Sequence, residues 1–421
     1  MISVDLNMIQ TAGIGALALM VGMVLTRKVA FLQKLCIPSP VSGGILFSLL
    51  GLALYSWGHI ELSFDHTLQD TFMLAFFTSV GFQTDFKVLK QGGKALGIML
   101  VLLVLIITLQ NLMPWGITKL MGVNPLLGIT AGSVSMTGGH GTAGGFAGVL
   151  EQMGLHGAGT IGMAAATFGL IAGSMIGGPL AEFIIRKKLT QEQMQQDVEI
   201  DPAMAGIESD EASPEGRAKR MSSNEQEFQQ YAKASYWILL AMAGGTLLSW
   251  ALAKTGVTFP SYFGALILAA IMRNTIGFIP YKENGKWVKG EKQFDMDRII
   301  SVGNICLSMF LGMAMISLRL WELSSLALPL VVILVSQIVM MILFVYFVAF
   351  PLLGRDYDAA VLCAGICGFG LGATPNAMAN MSAVCYKYRY TVKPFLIVPI
   401  IGAMFADLIN AAIITLFLNL M

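Results

Sequence analysis

Apolar stretches of helix-spanning length recur along almost the whole chain, and they limit what it can fold into. Inside a bilayer no water pairs a free backbone N–H or C=O, so only helices and closed barrels can cross. A run of about 20 apolar residues satisfies its own backbone as a helix. Ten such spans are expected, near residues 8–26, 41–58, 71–86, 95–115, 160–185, 234–253, 260–280, 299–318, 324–350 and 394–419. Charged residues make up 12% of the 421, against roughly 25% in an ordinary soluble domain. The expected class is an all-α polytopic membrane protein. With a net charge of +1 and no basic tract interleaved with aromatics, nucleic acid is not an expected partner, and the lipid bilayer is.

Charge placement orients the chain. Asp5 precedes the first apolar run, while Arg27 and Lys28 follow it, the reverse of a cleavable signal. The N-terminus is therefore expected outside and the first loop in the cytoplasm. Ten spans from that start put 23 of the 26 basic residues on the cytoplasmic side and leave Lys119, Lys254 and Arg319 outside. Both termini then lie outside. One long polar interval, 187–232, carries ten of the 25 acidic residues and no apolar run. It reads as a cytoplasmic linker between an N-terminal membrane unit, 1–186, and a C-terminal one, 233–421. It is either a solvated tether or a regulatory segment.

Two glycine-rich, almost charge-free segments interrupt this pattern, one in each half. The first is Gly132-Ser133-Val134-Ser135-Met136-Thr137-Gly138-Gly139-His140-Gly141-Thr142. The second runs from Gly365 through Gly368-Phe369-Gly370-Leu371-Gly372-Ala373-Thr374-Pro375 to Asn376. Glycine costs about 1 kcal/mol relative to alanine in a helix, so neither run supports an unbroken helix. Broken backbone at membrane depth survives only where protein buries it or where it lines a wet cavity. The segments, about 124–150 and 356–382, are expected to form re-entrant hairpins.

The halves resemble each other. Pro40 and Gly44 match Pro260 and Gly264, and Phe64-Asp65 matches Phe294-Asp295. Asp65 lies 73 residues before Gly138, and Asp295 lies 75 before Gly370. Five spans per half is an odd number, so the repeats must have inverted topology, and their hairpins enter from opposite sides to meet near the midplane.

Several residues carry candidate chemistry. The hydroxyls of Ser133, Ser135, Thr137 and Thr142 surround the turn Gly138-Gly139-His140-Gly141. A helix starting after that break aims free N–H groups at an anion, so a carboxylate binds without a buried lysine or arginine. The competing reading is close helix packing over small residues. Asp407 sits deep in the apolar stretch Phe395 to Leu418 with Asn410 one turn on. A carboxylate there costs about 2.5–3.5 kcal/mol and needs a partner. A sodium ion held by Asp407, Asn410 and carbonyls of the breaks would supply one; proton carriage is the alternative. His140 either couples protons or donates as a neutral ring. Gln110, Asn111 and Asn304 either line the site or bond helix to helix. Asp85 and Glu182 are expected at cytoplasmic helix ends. Cys36, Cys306, Cys363, Cys367 and Cys385 read as unpaired packing residues. There is no cofactor motif and no P-loop lysine after the glycines. No second catalytic group stands at a fixed spacing from His140, so an enzyme is not expected.

The segments Ser135-Met-Thr-Gly-Gly-His-Gly-Thr142 and Gly368-Phe-Gly-Leu-Gly-Ala-Thr-Pro375 resemble the two signature loops of bacterial sodium/glutamate symporters, the GltS family. Leu74-Ala-Phe-Phe77, Leu320 to Pro329, Tyr357 to Leu362 and Phe405 to Ala411 are similar too. The linker is longer than that family's. The resemblance implies sodium-driven uptake of L-glutamate across the bacterial inner membrane, by a homodimer with a static scaffold and a moving, elevator-type transport unit. It implies that residues 135–142, 368–376 (with Gly370, Gly372, Thr374 and Asn376) and Asp407 carry substrate and Na+. Rival readings are a carrier of another small carboxylate (aspartate, a 2-oxo acid, a di- or tricarboxylate), a channel, or an intramembrane enzyme.

Overall fold

A computed structural model describes residues 2–35, 37–58, 60–85, 93–189, 214–276, 281–283, 286–288 and 294–420. Cys36, Lys87, Lys90 and residues 190–213 of the expected linker lie outside the described residues. Apart from the short helices Ala30–Lys34 and Phe350–Leu352, the α-helices are α1 (Met8–Lys28), α2 (Ser39–Gly58), α3 (Thr67–Gln83), α4 (Gly93–Met121), α5 (Pro125–Ile129), α6 (Gly139–Gln152) and α7 (Ala158–Lys188) in the first half. The second half contributes α8 (Pro214–Ala253), α9 (Phe263–Thr275), α10 (Met296–Ile316), α11 (Ala327–Phe344), α12 (Tyr357–Leu371), α13 (Thr374–Lys387), α14 (Lys393–Ile400) and α15 (Ala406–Leu420). Seven helices of the described residues are long and apolar enough to cross a membrane, and the protein is a mostly helical, multi-pass membrane protein.

Some elements differ from the sequence expectation. The span expected at 260–280 is a helix of only 13 residues, α9. The last span is split, because a π-helical turn, Ile401–Phe405, separates α14 from α15. Residues 214–232, expected in the linker, are helical and form the first part of α8. The chain also contains strands. β1 (Ile2–Leu6) pairs in parallel with β2 (Ile60–Phe64), Ile2 opposite Ile60, while β3 (Tyr281–Glu283) and β4 (Lys286–Val288) form an antiparallel pair. Alternating Ile2, Val4, Leu6 and Ile60, Leu62, Phe64 carry the period of two that makes a strand. Pairing residues 2–6 with 60–64 puts them on one side, so α1 and α2 fold as a hairpin between them.

The helices sort into two bundles. In one, α3 packs on α10, α1 on α2, and α8 on α9. Small residues make the close crossings: a Cβ on Gly22 would stand 1.9 Å from the Ser39 carbonyl oxygen, and one on Gly264 2.3 Å from that of Gly245. Without a hydrophobic drive between helices in lipid, such contact supplies the packing attraction. In the other bundle α7 packs on α6, α12 and α13, and α4 on α5, α11 and α15. The bundles meet where α6 lies on α10 and where the 401–405 turn lies on α3.

Candidate binding site between two broken helices

Both glycine segments are helix–break–helix units. In the first, α5 runs into a π-turn, Thr130–Val134, where Gly132 leaves helical geometry at ψ −137°. The chain then turns through 135–138, and Gly139 opens α6 at φ +60°, a left-handed conformation that glycine adopts without a Cβ clash. In the second, α12 ends at Gly372 (φ −148°, ψ −98°), Ala373 is extended, and α13 starts with Pro375 in its first turn. The breaks touch. A Cβ on Gly139 would stand 3.2 Å from the Gly372 carbonyl oxygen.

Buried amides hold the breaks open. The Nε2 of Gln110 donates to the Gly370 carbonyl, and its Oε1 accepts from the Thr137 hydroxyl at 2.6 Å. Asn111 accepts from the Ser133 N–H at 3.1 Å and donates to its Oγ at 2.8 Å. Asn410 donates to the Ser133 carbonyl at 3.0 Å. Gln337 donates to the Gln110 carbonyl at 2.9 Å. The bonds to the Gly370, Ser133 and Gln110 backbone satisfy main-chain groups that an unbroken helix would have paired itself, and an unmade bond here would cost about 1–3 kcal/mol. The amides of Gln110 and Asn111 therefore act between helices, whereas Asn304 is exposed and lines the cavity described next.

A cavity of about 290 Å³ opens in front of the breaks. Its walls contain Thr137, Gly138, Gly139, His140, Gly141 and Thr142 from the first, and Gly372 and Thr374 from the second, with Asp407 beside them. No lysine or arginine lines it among the described residues. Ser133, Ser135, Gly370, Asn376 and Asn410 stand behind the wall instead. Ser135 donates to the Thr130 and Gly162 carbonyls at 2.6 and 2.9 Å. Asn376 donates to the Leu170 carbonyl and Ser174 Oγ, both at 2.9 Å. Such polar groups pair inward because an unpaired one in an apolar bundle is costly, which residue type alone did not reveal. The Oδ1 atoms of Asn376 and Asn410 are buried with no hydrogen-bond partner among the described residues.

The Nε2 of His140 lies 2.9 Å from Thr167 Oγ1, whose own hydrogen goes to the Met163 carbonyl at 2.8 Å. The ring N–H is then the donor, so Nε2 carries the proton and Nδ1 is an acceptor, an assignment that follows from the network. Asp407 lies in the first turn of α15, just past the π-turn, and its carboxylate makes no hydrogen bond or ion pair among the described residues. That turn packs on the second break: a Cβ on Gly402 would lie 2.2 Å from Thr374 Oγ1. The facing wall comes from the other bundle, through Phe76, Phe77, Val80 and Gln83 of α3 and Ile300, Leu307 and Leu311 of α10. Except for the Phe76-Phe77 stretch and the polar Gln83, these carried no signal distinguishing them from lipid-facing residues.

Two helix–break–helix segments whose second helices both begin at one cavity, at a contact between bundles of a multi-pass membrane protein, are the build of a secondary transporter. The sequence comparisons agree. The model of the sodium/glutamate symporter family matches residues 4–390. The chain is 37% identical over 417 residues to the sodium/glutamate symporter of Escherichia coli (strain K12), covering 99% of this chain and 98% of that protein. It is 37% identical over 409 residues to the sodium/glutamate symporter of Haemophilus influenzae, covering 96% and 95%. The chain belongs to the sodium/glutamate symporter family. Asp407 and Asn410 lie beyond the residues that the family model matches.

Proposed function

We propose that this protein couples inward sodium movement to uptake of L-glutamate across the bacterial inner membrane. The observation that carries the reading is the cavity where α6 and α13 begin. First-turn N–H groups have no acceptor within their helix, and the helix dipole favours negative charge there. Two helix starts suit the two carboxylates of glutamate without a buried basic residue. The Thr137 to Thr142 loop, Gly372 and Thr374 form the contact surface. Sodium, the co-transported ion, fits the oxygen-rich side. Among the described residues Asp407 supplies a carboxylate with no protein partner, and the Oδ1 of Asn410 is a buried acceptor with nothing to accept from. Sodium beside the anion lowers the cost of bringing either into the bundle, so the pair together favours a loaded state that neither reaches alone.

Side-chain contacts support the topology that charge placement suggests. Glu61 pairs with Arg319, Asp85 with Arg273, Glu182 with Lys387, and Thr258 with Asn419. Each pair encloses an even number of the ten helical spans, provided that each broken segment returns to the side it entered from. This supports two inverted repeats of five spans with re-entrant hairpins, periplasmic termini and a cytoplasmic linker. The separation into two bundles supports an elevator-type motion, in which the bundle holding both breaks moves against the other. Outward apolar side chains on that other bundle, such as Leu17, Leu50 and Leu247, leave a face for lipid or for the second copy of a homodimer.

The test is uptake of labelled L-glutamate into proteoliposomes under an imposed sodium gradient. Accumulation that stops when potassium replaces sodium outside, and that excess unlabelled glutamate blocks, is the expected result. Uptake blocked instead by aspartate, a 2-oxo acid or a tricarboxylate, with glutamate inert, would move the substrate to that carboxylate.

A further inference from the structure

A second cavity, of about 480 Å³, lies on the far side of the same bundle contact. It is lined by His66 and Asp70 of the α3 start, Gly148 and Glu151 of α6, and Ser317 and Arg319 beyond α10. Along α3, α6 and α10 the two cavities are consecutive, and what stands between them is a layer of rings. Phe77 and Tyr262 stack with centroids 3.7 Å apart and planes 10° from parallel. Phe146 meets Tyr262 edge-on at 6.1 Å, and Phe310 completes the layer; all four are buried.

The rings press on α6 where it has no side chains. A Cβ on Gly145 would stand 2.5 Å from the Tyr262 ring, and one on Gly144 2.3 Å from that of Phe310. Gly141, Gly144, Gly145 and Gly148 share one helix face, since residues three and four apart are neighbours on the surface. This bare stripe begins in the first cavity, passes the rings, and ends in the second. Four residues of helix span about 6 Å, so a shift of that size brings Gly141 to where Gly145 now stands.

Tyr262 adds an independent observation. Its hydroxyl is fully buried and has no hydrogen-bond partner among the described residues. A phenylalanine would stack equally well here without leaving a polar atom unpaired. The hydroxyl is explained by a second arrangement in which the polar turn around His140 and Thr142 has reached it.

We infer that Phe77, Tyr262 and Phe310 form the barrier between the two cavities, that the Gly141–Gly148 stripe is the surface that slides past it, and that the Tyr262 hydroxyl engages the first break once it has moved. The inference rests on the transport reading above. It separates the roles of ring and hydroxyl, and two substitutions test them in proteoliposomes. Tyr262→Ala opens the barrier: sodium efflux in the absence of glutamate rises above the wild-type rate, and accumulation falls. Tyr262→Phe keeps the barrier tight and binds glutamate normally but slows uptake by about tenfold, the worth of one neutral hydrogen bond. Folding is checked by monodispersity and sodium-dependent glutamate binding. Where Tyr262→Ala fails that check, Phe310→Ala carries the leak test from another helix. Wild-type protein without sodium-driven uptake would sink the transport reading. Active wild type, with tight and fully active Tyr262→Ala or Phe310→Ala, would overturn the barrier alone. Wild-type uptake by Tyr262→Phe would remove the hydroxyl from the scheme.

Discussion

Gly139 and Gly372 meet backbone to backbone: there is room for no more than 3.2 Å between a Cβ on the first and the carbonyl oxygen of the second. These residues come from opposite halves of the chain, and each is the point where a helix stops being continuous. Their contact makes one cavity out of two breaks. Glycine is required at both positions for different reasons: Gly139 has positive φ and a Cβ there would crowd the Gly372 carbonyl, whereas a Cβ on Gly372 would stand 2.9 Å from the Asn376 amide nitrogen and 3.1 Å from the Leu170 Cα.

Gly139→Val should abolish sodium-dependent glutamate binding while leaving a folded protein. A β-branched residue at φ +60° costs roughly 1–3 kcal/mol of backbone strain, small against the packing of a polytopic bundle. The new side chain also pushes the breaks apart. Isothermal titration should show no binding, and the thermal midpoint should drop only a few degrees. Gly97→Ala, where a Cβ meets nothing within 4 Å, is the matched control and should behave as wild type or slightly better. Retained affinity in Gly139→Val would favour the packing role of the loop.

Asp407→Ala and Asp407→Asn should lose sodium stimulation of uptake. Measuring glutamate binding at several sodium concentrations gives the check: a wild-type affinity that rises with sodium, and a flat one in the variants. Normal sodium-dependent transport would remove Asp407 from the mechanism. Binding of glutarate retained while glutamate binding is lost would instead assign the carboxylate to the substrate ammonium.

Gln110→Leu should destabilise more than its volume change explains. It removes the amide that joins the Gly370 carbonyl to the Thr137 hydroxyl and leaves these two only their own long contact of 3.4 Å, at a cost of about 1–3 kcal/mol. Thr137→Val in the same background should cost less than in wild type, since its shorter hydrogen bond, to Gln110, is already gone. Additive losses in thermal melts of the single and double variants would show that the two side chains act separately.

The ion pairs predict sidedness. Cysteines replacing Glu61 or Arg319 should react with a membrane-impermeant maleimide in intact cells; those replacing Arg186 or Lys387 should react only after permeabilisation. The reverse pattern would invert the orientation. Lys387→Ala itself should cost no more than about 1 kcal/mol, because the Lys387–Glu182 pair at 2.7 Å is half exposed on the lysine side.

The membrane architecture was legible in the sequence because hydrocarbon imposes one rule on every residue: apolar side chains outward and backbone paired within the helix. That rule places α1, α2, α4 and α7 within a few residues of where apolar runs begin and end, and it marks both breaks by their glycines. Pairing was not legible. Ser133 and Thr142 look alike in sequence, yet Ser133 turns inward to Asn111 and Asn410 while Thr142 faces the cavity. Gln110 reads the same whether it binds a ligand or staples two helices. Tyr262 lies two residues after Pro260, a position that marked the internal repeat but gave no sign of standing between two cavities. Local chemistry determines which segments enter the bilayer and where they break. Which groups then meet depends on contacts across more than two hundred residues, such as Gln110 with Gly370, and only the packing of the two bundles decides those.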